Sequence, residues 1–309
     1  MTKSFAIGVD IGGTHISCAA VNLDAKQYLP ETFAEKELDN HASANDIFDI
    51  WASTLIKTMQ KVGVEHVAGI GFAMPGPFDY VRGIALFDEG VKKYENLYGL
   101  NVADAMREKL NLPASFPVRF INDATAFAIA EDWLGKSAET TRSLAITLGT
   151  GFGSAFLHNH LPVVAGNEVP AFGYVYHLPF EDGNADDYFS TRGLLERFEK
   201  RTGQKLSGVK ELAVLSEKNP VANELFTDFG YQLGVFLKPL LQNFGAEVLV
   251  IGGNISNAFK LFGPSLLNYF EKNKVKTRVE ISDLKETASM IGSAVLADEN
   301  YYQKIKSTL

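Results

Sequence analysis

The chain has 309 residues, of which 46% are hydrophobic and 21% charged, with a formal net charge of −8. That length suits two lobes with separate cores, and the balance is ordinary for a soluble globular protein. The negative charge and the lack of a basic tail argue against sequence-independent nucleic-acid binding and against a membrane partner, although backbone amides or a metal can still hold phosphate. The single cysteine, Cys18, excludes an internal disulfide and a cysteine zinc cluster, and it reads as a small buried core residue. The first residues, MTKSFAIGVD, lack the apolar region of a signal peptide, and no run of ~18 apolar residues occurs, so a cytoplasmic protein is expected.

FAIGVD (5–10) and SCAAVNL (17–23) predict two strands around a tight glycine turn, a hairpin. Residues 43–63 place Ile47, Trp51, Leu55 and Met59 at i, i+4 spacing after a Ser/Asn cap, which predicts an amphipathic helix. VAGIGFA (67–73) predicts a strand that ends at the turn Pro75-Gly76-Pro77. A helix over 101–111, a strand over 117–123 that ends on an acid, and a helix over 124–135 closed by Gly135 follow. After the polar segment GKSAETTRS a second hairpin begins at Leu144, so the lobes are expected to divide near 125–143, as 1–125 and 126–289. Residues 224–246 carry Leu233, Phe236, Leu237, Leu240, Leu241 and Phe244 on one face, a long buried helix that Pro239 is expected to kink. EVLVIGGN (247–254) is a strand entering a Gly-Gly turn. A last helix over roughly 288–305 is expected to pack back on the first lobe. Strands alternate with helices after each hairpin, so both halves are α/β.

Three glycine turns stand at strand ends: Gly12-Gly13-Thr14, Gly149-Thr150-Gly151 and Gly252-Gly253. Glycine permits positive φ and close approach of a ligand to the main chain, and successive free amides form a concavity for phosphate oxygens. A plain hairpin turn explains any one of them alone. Rival phosphate motifs fail: there is no G-x-x-x-x-G-K-[ST], and the turn at 149–153 leads into a strand, whereas the dinucleotide fingerprint opens a helix.

VDIGGTHIS, GIGFAMPGPFD, FINDATAFAIAEDWLG, LAITLGTGFGSAFL, VLVIGGNIS and ASMIGSAVL resemble, in order, the motifs of the ROK family of sugar kinases, from about residue 5 to 296. The resemblance implies two ribonuclease H-like α/β lobes with a nucleotide and sugar cleft between them. It implies that Asp10 holds Mg²⁺ through water, and that Gly12, Gly13, Thr14, Gly149, Thr150 and Gly151 hold ATP phosphates, with Gly252 and Gly253 on the adenosine side. Asn122 and Asp123 match the family's Asn-Asp pair, which makes Asp123 the general base and both of them sugar contacts; a plain helix cap is the alternative role. Gly76 would bring backbone close to a sugar hydroxyl, and Asn96 matches a family sugar contact but also fits a surface turn.

The resemblance fails at 167–193, where the family's His/Cys₃ zinc motif has lost every cysteine; Ala171 stands at the family's Glu, Tyr174 at its His, and Asp186 or Asp187 near its final Glu. No structural zinc is expected there. Glu168 and, second, His177 are the expected substitutes as sugar ligands. The pair His158 and His160 reads as surface polar residues rather than a metal pair. The implied activity is ATP-dependent phosphorylation of a hexose, glucose or a related sugar, at a primary hydroxyl. An N-acetylhexosamine or fructose kinase and a catalytically weak sugar sensor are the alternatives. ROK repressors carry a helix-turn-helix ahead of the first strand and this sequence opens on the strand, so no nucleic-acid partner is expected; a homodimer is expected only because similar proteins form one.

Overall fold

The structure is a computed structural model that describes residues 3–88, 90 and 93–309. Strands β1 (Phe5–Ile11) and β2 (His15–Asn22) form the hairpin, and β3 (Gln27–Glu37) extends it at the sheet edge. This third strand was not legible in QYLPETFAEKE, because an edge strand with one exposed face carries proline and charges that elsewhere signal a loop. Its pairing to β2 shifts register between Cys18 and Ala20, and Lys61 donates to the main-chain carbonyls of Glu31 and Phe33 beside that irregularity.

Helix α1 (Ala44–Val62) starts where the Ser43 hydroxyl accepts from the Asp46 amide, and it buries Ile47, Trp51, Leu55 and Met59 as the spacing required. Strand β4 (Val67–Met74), the short ribbon β5 (Phe78–Asp79) and β6 (Ile84–Ala85), helix α2 (Val102–Lys109), strand β7 (Val118–Asn122) and helix α3 (Asp123–Leu134) follow. The sheet order is β3-β2-β1-β4-β7, with β1, β4 and β7 parallel.

The second hairpin is β8 (Arg142–Leu148) and β9 (Phe152–His158), extended by β10 (Leu161–Val163). A two-stranded ribbon of β11 (Pro179–Phe180) and β12 (Gly183–Asn184) leads into α4 (Ala185–Phe189), α5 (Thr191–Thr202), α6 (Val209–Leu215) and α7 (Pro220–Phe244). Helix α7 runs through Pro239 and buries Leu233, Phe236, Leu237, Leu241 and Phe244, while Leu240 stays half-buried. Strand β13 (Val248–Gly252), helix α8 (Phe259–Lys272) and β14 (Arg278–Ile281) complete a second sheet of order β10-β9-β8-β13-β14. β8, β13 and β14 are parallel, so the second sheet repeats the first strand for strand.

The chain then returns as α9 (Thr287–Ala294) and α10 (Glu299–Ile305). Glycines let α9 lie directly on β1, β4 and α3. A Cβ at Gly8 would sit 1.8 Å from the Met290 carbonyl oxygen, one at Gly71 1.8 Å from that of Ser293, and one at Gly292 1.8 Å from that of Ala126. The Ser293 hydroxyl also lies 3.2 Å from both the amide nitrogen and the carbonyl oxygen of Val9. Two compact units result, Met1–Leu134 with Glu286–Leu309, and Gly135–Lys285. The division after Leu134 lies inside the expected range 125–143, and α3, which a break at 125 would give to the second lobe, stays with the first through its backbone contact with α9. Among the described residues no helix is long and apolar enough to cross a membrane.

Candidate active site

In the first unit, Asp10 pairs across to Ala73 and Met74 to Asn122. Because β1, β4 and β7 are parallel, Asp10 and the pair Asn122-Asp123 leave the sheet at the same carboxyl edge. They stand two strand spacings apart, roughly 10 Å. The carboxyl edge of parallel strands is where open α/β sheets hold ligands.

The first turn follows Asp10. The Gly12 amide donates to the His15 carbonyl at 3.0 Å, and the Thr14 carbonyl accepts from the Leu38 amide at 2.9 Å. The Tyr94 hydroxyl donates to the Gly12 carbonyl at 2.6 Å, and the Asn40 amide group donates to the Gly13 carbonyl. Gly13 and Thr14 are exposed, and their own amides have no hydrogen-bond partner among the described residues.

In the second unit the Gly149 amide donates to the Gly151 carbonyl at 3.1 Å, and the Gly149 carbonyl accepts from the Thr191 amide at 2.8 Å. The Asp186 carboxylate accepts from the Phe152 amide at 2.8 Å and is paired with Arg192. Thr150 and Gly151 are exposed; Gly252 is buried at the end of β13, so of that glycine pair only Gly253 faces outward.

The reason for glycine differs among these turns. Only Gly253 has positive φ, +79°, and a Cβ there would lie 2.4 Å from the Leu148 carbonyl oxygen. Gly12, Gly13, Gly149, Gly151 and Gly252 do not need the left-handed conformation, contrary to the simplest reading of glycine in a turn. A Cβ at Gly13 or at Gly149 would meet nothing within 4 Å. Nothing within the described chain excludes a side chain at these two positions; each leaves open space over exposed backbone.

Burial, and after it the carboxylates of Asp123 and Glu286, push Asp10 up to about 7. Asp123 is reached by solvent but crowded by surrounding protein, and that desolvation raises it above the usual carboxylate range; the Ala124 amide and the Lys93 ammonium oppose the rise. The Asn122 carbonyl oxygen accepts from the amides of Ala124 at 3.0 Å and Thr125 at 3.3 Å, so it caps α3, and its amide group lies 3.4 Å from the Tyr80 hydroxyl. Among the described residues no cluster of three or more His, Cys, Asp or Glu is arranged to hold a metal.

The remaining predicted residues fare differently. Gly76 is exposed, and a Cβ there would lie 3.6 Å from the Tyr80 hydroxyl, so Gly76, Tyr80 and Asn122 share one region. Asn96 is exposed, but its amide group donates to the carbonyls of His41 and Ala42 at 2.9 and 3.0 Å, so that group ties two loops together. Glu168 pairs with Arg142 at 3.1 Å. Arg142 opens β8 and the glycine turn closes it, roughly 20 Å further along the strand. Glu168 is therefore paired at the far end of β8 from the turn of its own unit. His177 is exposed and sits edge-on to Tyr176, whose carbonyl accepts from the Asp186 amide, so it stays beside the turn. Sequence reasoning missed Tyr94, Asn40, Tyr80, Glu286 and the role of Asp186. The first three act across loops and carry no local pattern; Asp186 was legible only as a position in a degraded motif.

A model of the ROK family matches residues 6–300. The glucokinase of Thermotoga maritima is 27% identical, over 97% of this chain and 99% of its own. The beta-glucoside kinase of Klebsiella pneumoniae is 26% identical over 80% of each chain, and the N-acetyl-D-glucosamine kinase of Haemophilus influenzae 25% over 81% of this chain and 84% of its own. Two solved structures share the fold. A ROK hexokinase from Thermus thermophilus matches with TM-score 0.77 at 20% identity, covering 97% of this chain and 99% of that one. A ROK family glucokinase from Streptomyces griseus in complex with glucose and AMPPNP matches with TM-score 0.74 at 21% identity, covering 94% and 98%. Because the match runs through both hairpins, all three glycine turns, the two edge carboxylates and helix α9, this chain belongs to the ROK family.

Proposed function

We propose that the protein transfers the γ-phosphoryl group of ATP to a primary hydroxyl of a hexose, glucose or a close relative of it. The observation that carries this reading is the pair of raised carboxylates, Asp10 and Asp123, on one sheet edge beside a turn with two free amides. The full-length similarity to a glucokinase supports it.

Asp123 is the general base. Its raised pKa makes it a stronger base than an exposed aspartate while the Ala124 amide holds the carboxylate in place. It accepts the hydroxyl proton as the sugar oxygen forms a bond to phosphorus and the bond from phosphorus to the ADP oxygen breaks. Asn122 and Gly76 lie on the sugar side in this reading, and His177 is the sugar contact proposed in the second unit.

Asp10 fits a magnesium site. Two further carboxylates add to burial in raising it, so this edge carries negative charge that a divalent cation would relieve. A single half-buried carboxylate suits Mg²⁺, which keeps most of its waters and takes its other ligands from phosphate. The ion would neutralise charge on the β- and γ-phosphates. The amides of Gly13, Thr14, Thr150 and Gly151 would donate to phosphate oxygens, and Gly253 would line the nucleoside side.

The test is ADP release coupled to a spectroscopic readout, over glucose, fructose, N-acetylglucosamine and N-acetylmannosamine. Glucose-dependent turnover is expected. Preference for an N-acetylated sugar would move the assignment to the class of the Haemophilus influenzae relative. Sugar binding without any turnover would overturn the kinase reading in favour of a sensor.

A further inference from the structure

We infer that Tyr94 and Asn40 are positioning residues that fix the two peptide planes of the first glycine turn, so that the amides of Gly13 and Thr14 face outward together. The inference rests on the reading of this turn as a phosphate site. A trans peptide is planar, with its N–H opposite its C=O. The Gly12 carbonyl shares a plane with the Gly13 amide, and the Gly13 carbonyl with the Thr14 amide. Tyr94 holds the first carbonyl at 2.6 Å and Asn40 holds the second. Each grip from behind aims an unpartnered amide the other way.

The grips are themselves fixed. Tyr94 is fully buried, with its ring 5.8 Å from those of Trp51 and Phe87. Its main-chain amide donates to the Asn40 carbonyl at 3.1 Å, which couples the two holds. Next to them the Asn96 amide group donates to the His41 and Ala42 carbonyls, and Glu95 meets His41 at 2.6 Å. Gly12 and Gly13 have little steric resistance to rotation of these planes, and a rotated plane would present a carbonyl dipole to an anion. Holding the planes in advance removes that reorganisation from the binding event. The second turn achieves the same at Gly149 with the main-chain amide of Thr191. At the second turn the Asp186 side chain reaches only the Phe152 amide, whereas at the first turn side chains hold the carbonyls themselves, so there substitution exposes the device.

The experiment compares the full chain with Tyr94→Phe, Asn40→Ala and the double variant. Calorimetry uses magnesium ADP, then magnesium-free tripolyphosphate, which separates the turn from the cation at Asp10. Loss of one such hydrogen bond is expected to raise Kd for both ligands, and KM for ATP, about tenfold. The double variant is expected to lose about a hundredfold. KM for sugar stays at the wild-type value, because the sugar side is untouched, and the melting temperature falls by no more than about 2–6 °C, the cost of the lost hydrogen bond alone. A Tyr94→Phe protein that binds tripolyphosphate like wild type overturns the inference. So does one that loses sugar affinity and thermal stability in step with nucleotide affinity, which is the mark of a merely structural tyrosine. Wild-type protein that takes up neither ligand overturns the phosphate reading itself, and that result is visible before any variant is compared.

Discussion

Replacing Gly13 by alanine should leave the fold intact and damage nucleotide binding. Gly13 does not occupy the left-handed region, and an added Cβ meets nothing within 4 Å. Restricting the unfolded chain at such a position stabilises by about 0.4–1 kcal/mol. In a unit of this size the melting temperature then stays put or rises by about 1–4 °C. The same methyl would stand in the space over the two free amides. If it displaces an anion from one charge-assisted hydrogen bond, the loss is about 1.5–3 kcal/mol, or ten- to a hundredfold or so in Kd. Gly8→Ala is the opposite control. Its Cβ would sit 1.8 Å from the Met290 carbonyl, so β1 and α9 must separate. Overpacking of that kind costs about 1–3 kcal/mol or more. Thermal melts and calorimetry with magnesium ADP on both variants read the contrast. A Gly13→Ala protein with wild-type nucleotide affinity would refute the assignment of the turn, and one that melts as low as Gly8→Ala would refute the steric argument.

Asp123→Asn should lower kcat by about 10²–10⁴-fold while magnesium ADP binds almost as before; retained turnover in the coupled assay removes Asp123 as the base. Because the Asp123 carboxylate must be ionised and desolvation holds its pKa above the usual carboxylate range, the acid limb of kcat/KM for sugar should lie at higher pH than an exposed aspartate would give. A profile that stays flat to pH 4 contradicts this. His41 is raised from 6.5 by its hydrogen bond to Glu95, so their pairing stabilises fully below the unfolded imidazole pKa and is lost as pH rises through the raised value. Glu95 is lowered from 4.5, so the contribution also fades as pH falls through that lowered value. His41→Asn should therefore reduce the melting temperature more at pH 5.5 than at pH 8.5, and an equal reduction at both rules the ion pair out. Gly253→Ala should destabilise the second unit in a thermal melt, since φ of +79° and the Leu148 carbonyl at 2.4 Å both oppose a side chain; unchanged melting would contradict the geometry.

Much of the architecture was legible because burial leaves a periodic trace. The apolar runs of β1, β4, β8 and β13 and the i, i+4 face of α1 follow from what each must hide. Strand β3 hides little, and its proline and charges suit an edge rather than a period. The acids at strand ends were legible for a similar reason: Asp10 and Asp123 interrupt apolar runs where a parallel strand must stop. The ligand side of the second unit was less so. Glu168 stood close in sequence to the family's missing acid, yet its carboxylate meets Arg142 at the far end of β8. Asn96 fitted a motif, and its amide group ties its loop to the carbonyls of His41 and Ala42. Tyr94 left no trace, since it acts 82 residues from the carbonyl it holds.

The two turns share a design but not its means. In each, the first glycine carbonyl is held from behind and the following amides are left free. One hold comes from the start of α5, where main-chain geometry fixes it whatever the side chains are; the other comes from Tyr94 and Asn40. The carboxylates divide in the same way, with Asp10, Asp123 and Glu286 all in the first unit. In the proposed reaction the second unit then contributes amides and contacts, whereas charge neutralisation and proton transfer both belong to the first. Substitutions at Gly149 or Asp186 should therefore act on nucleotide affinity and leave the pH dependence of turnover in place. Substitutions at Asp10, Tyr94 or Asp123 change the charge or hydrogen bonding of the edge on which the base sits. A variant of the second turn that shifted the acid limb of the rate profile would break this division of labour.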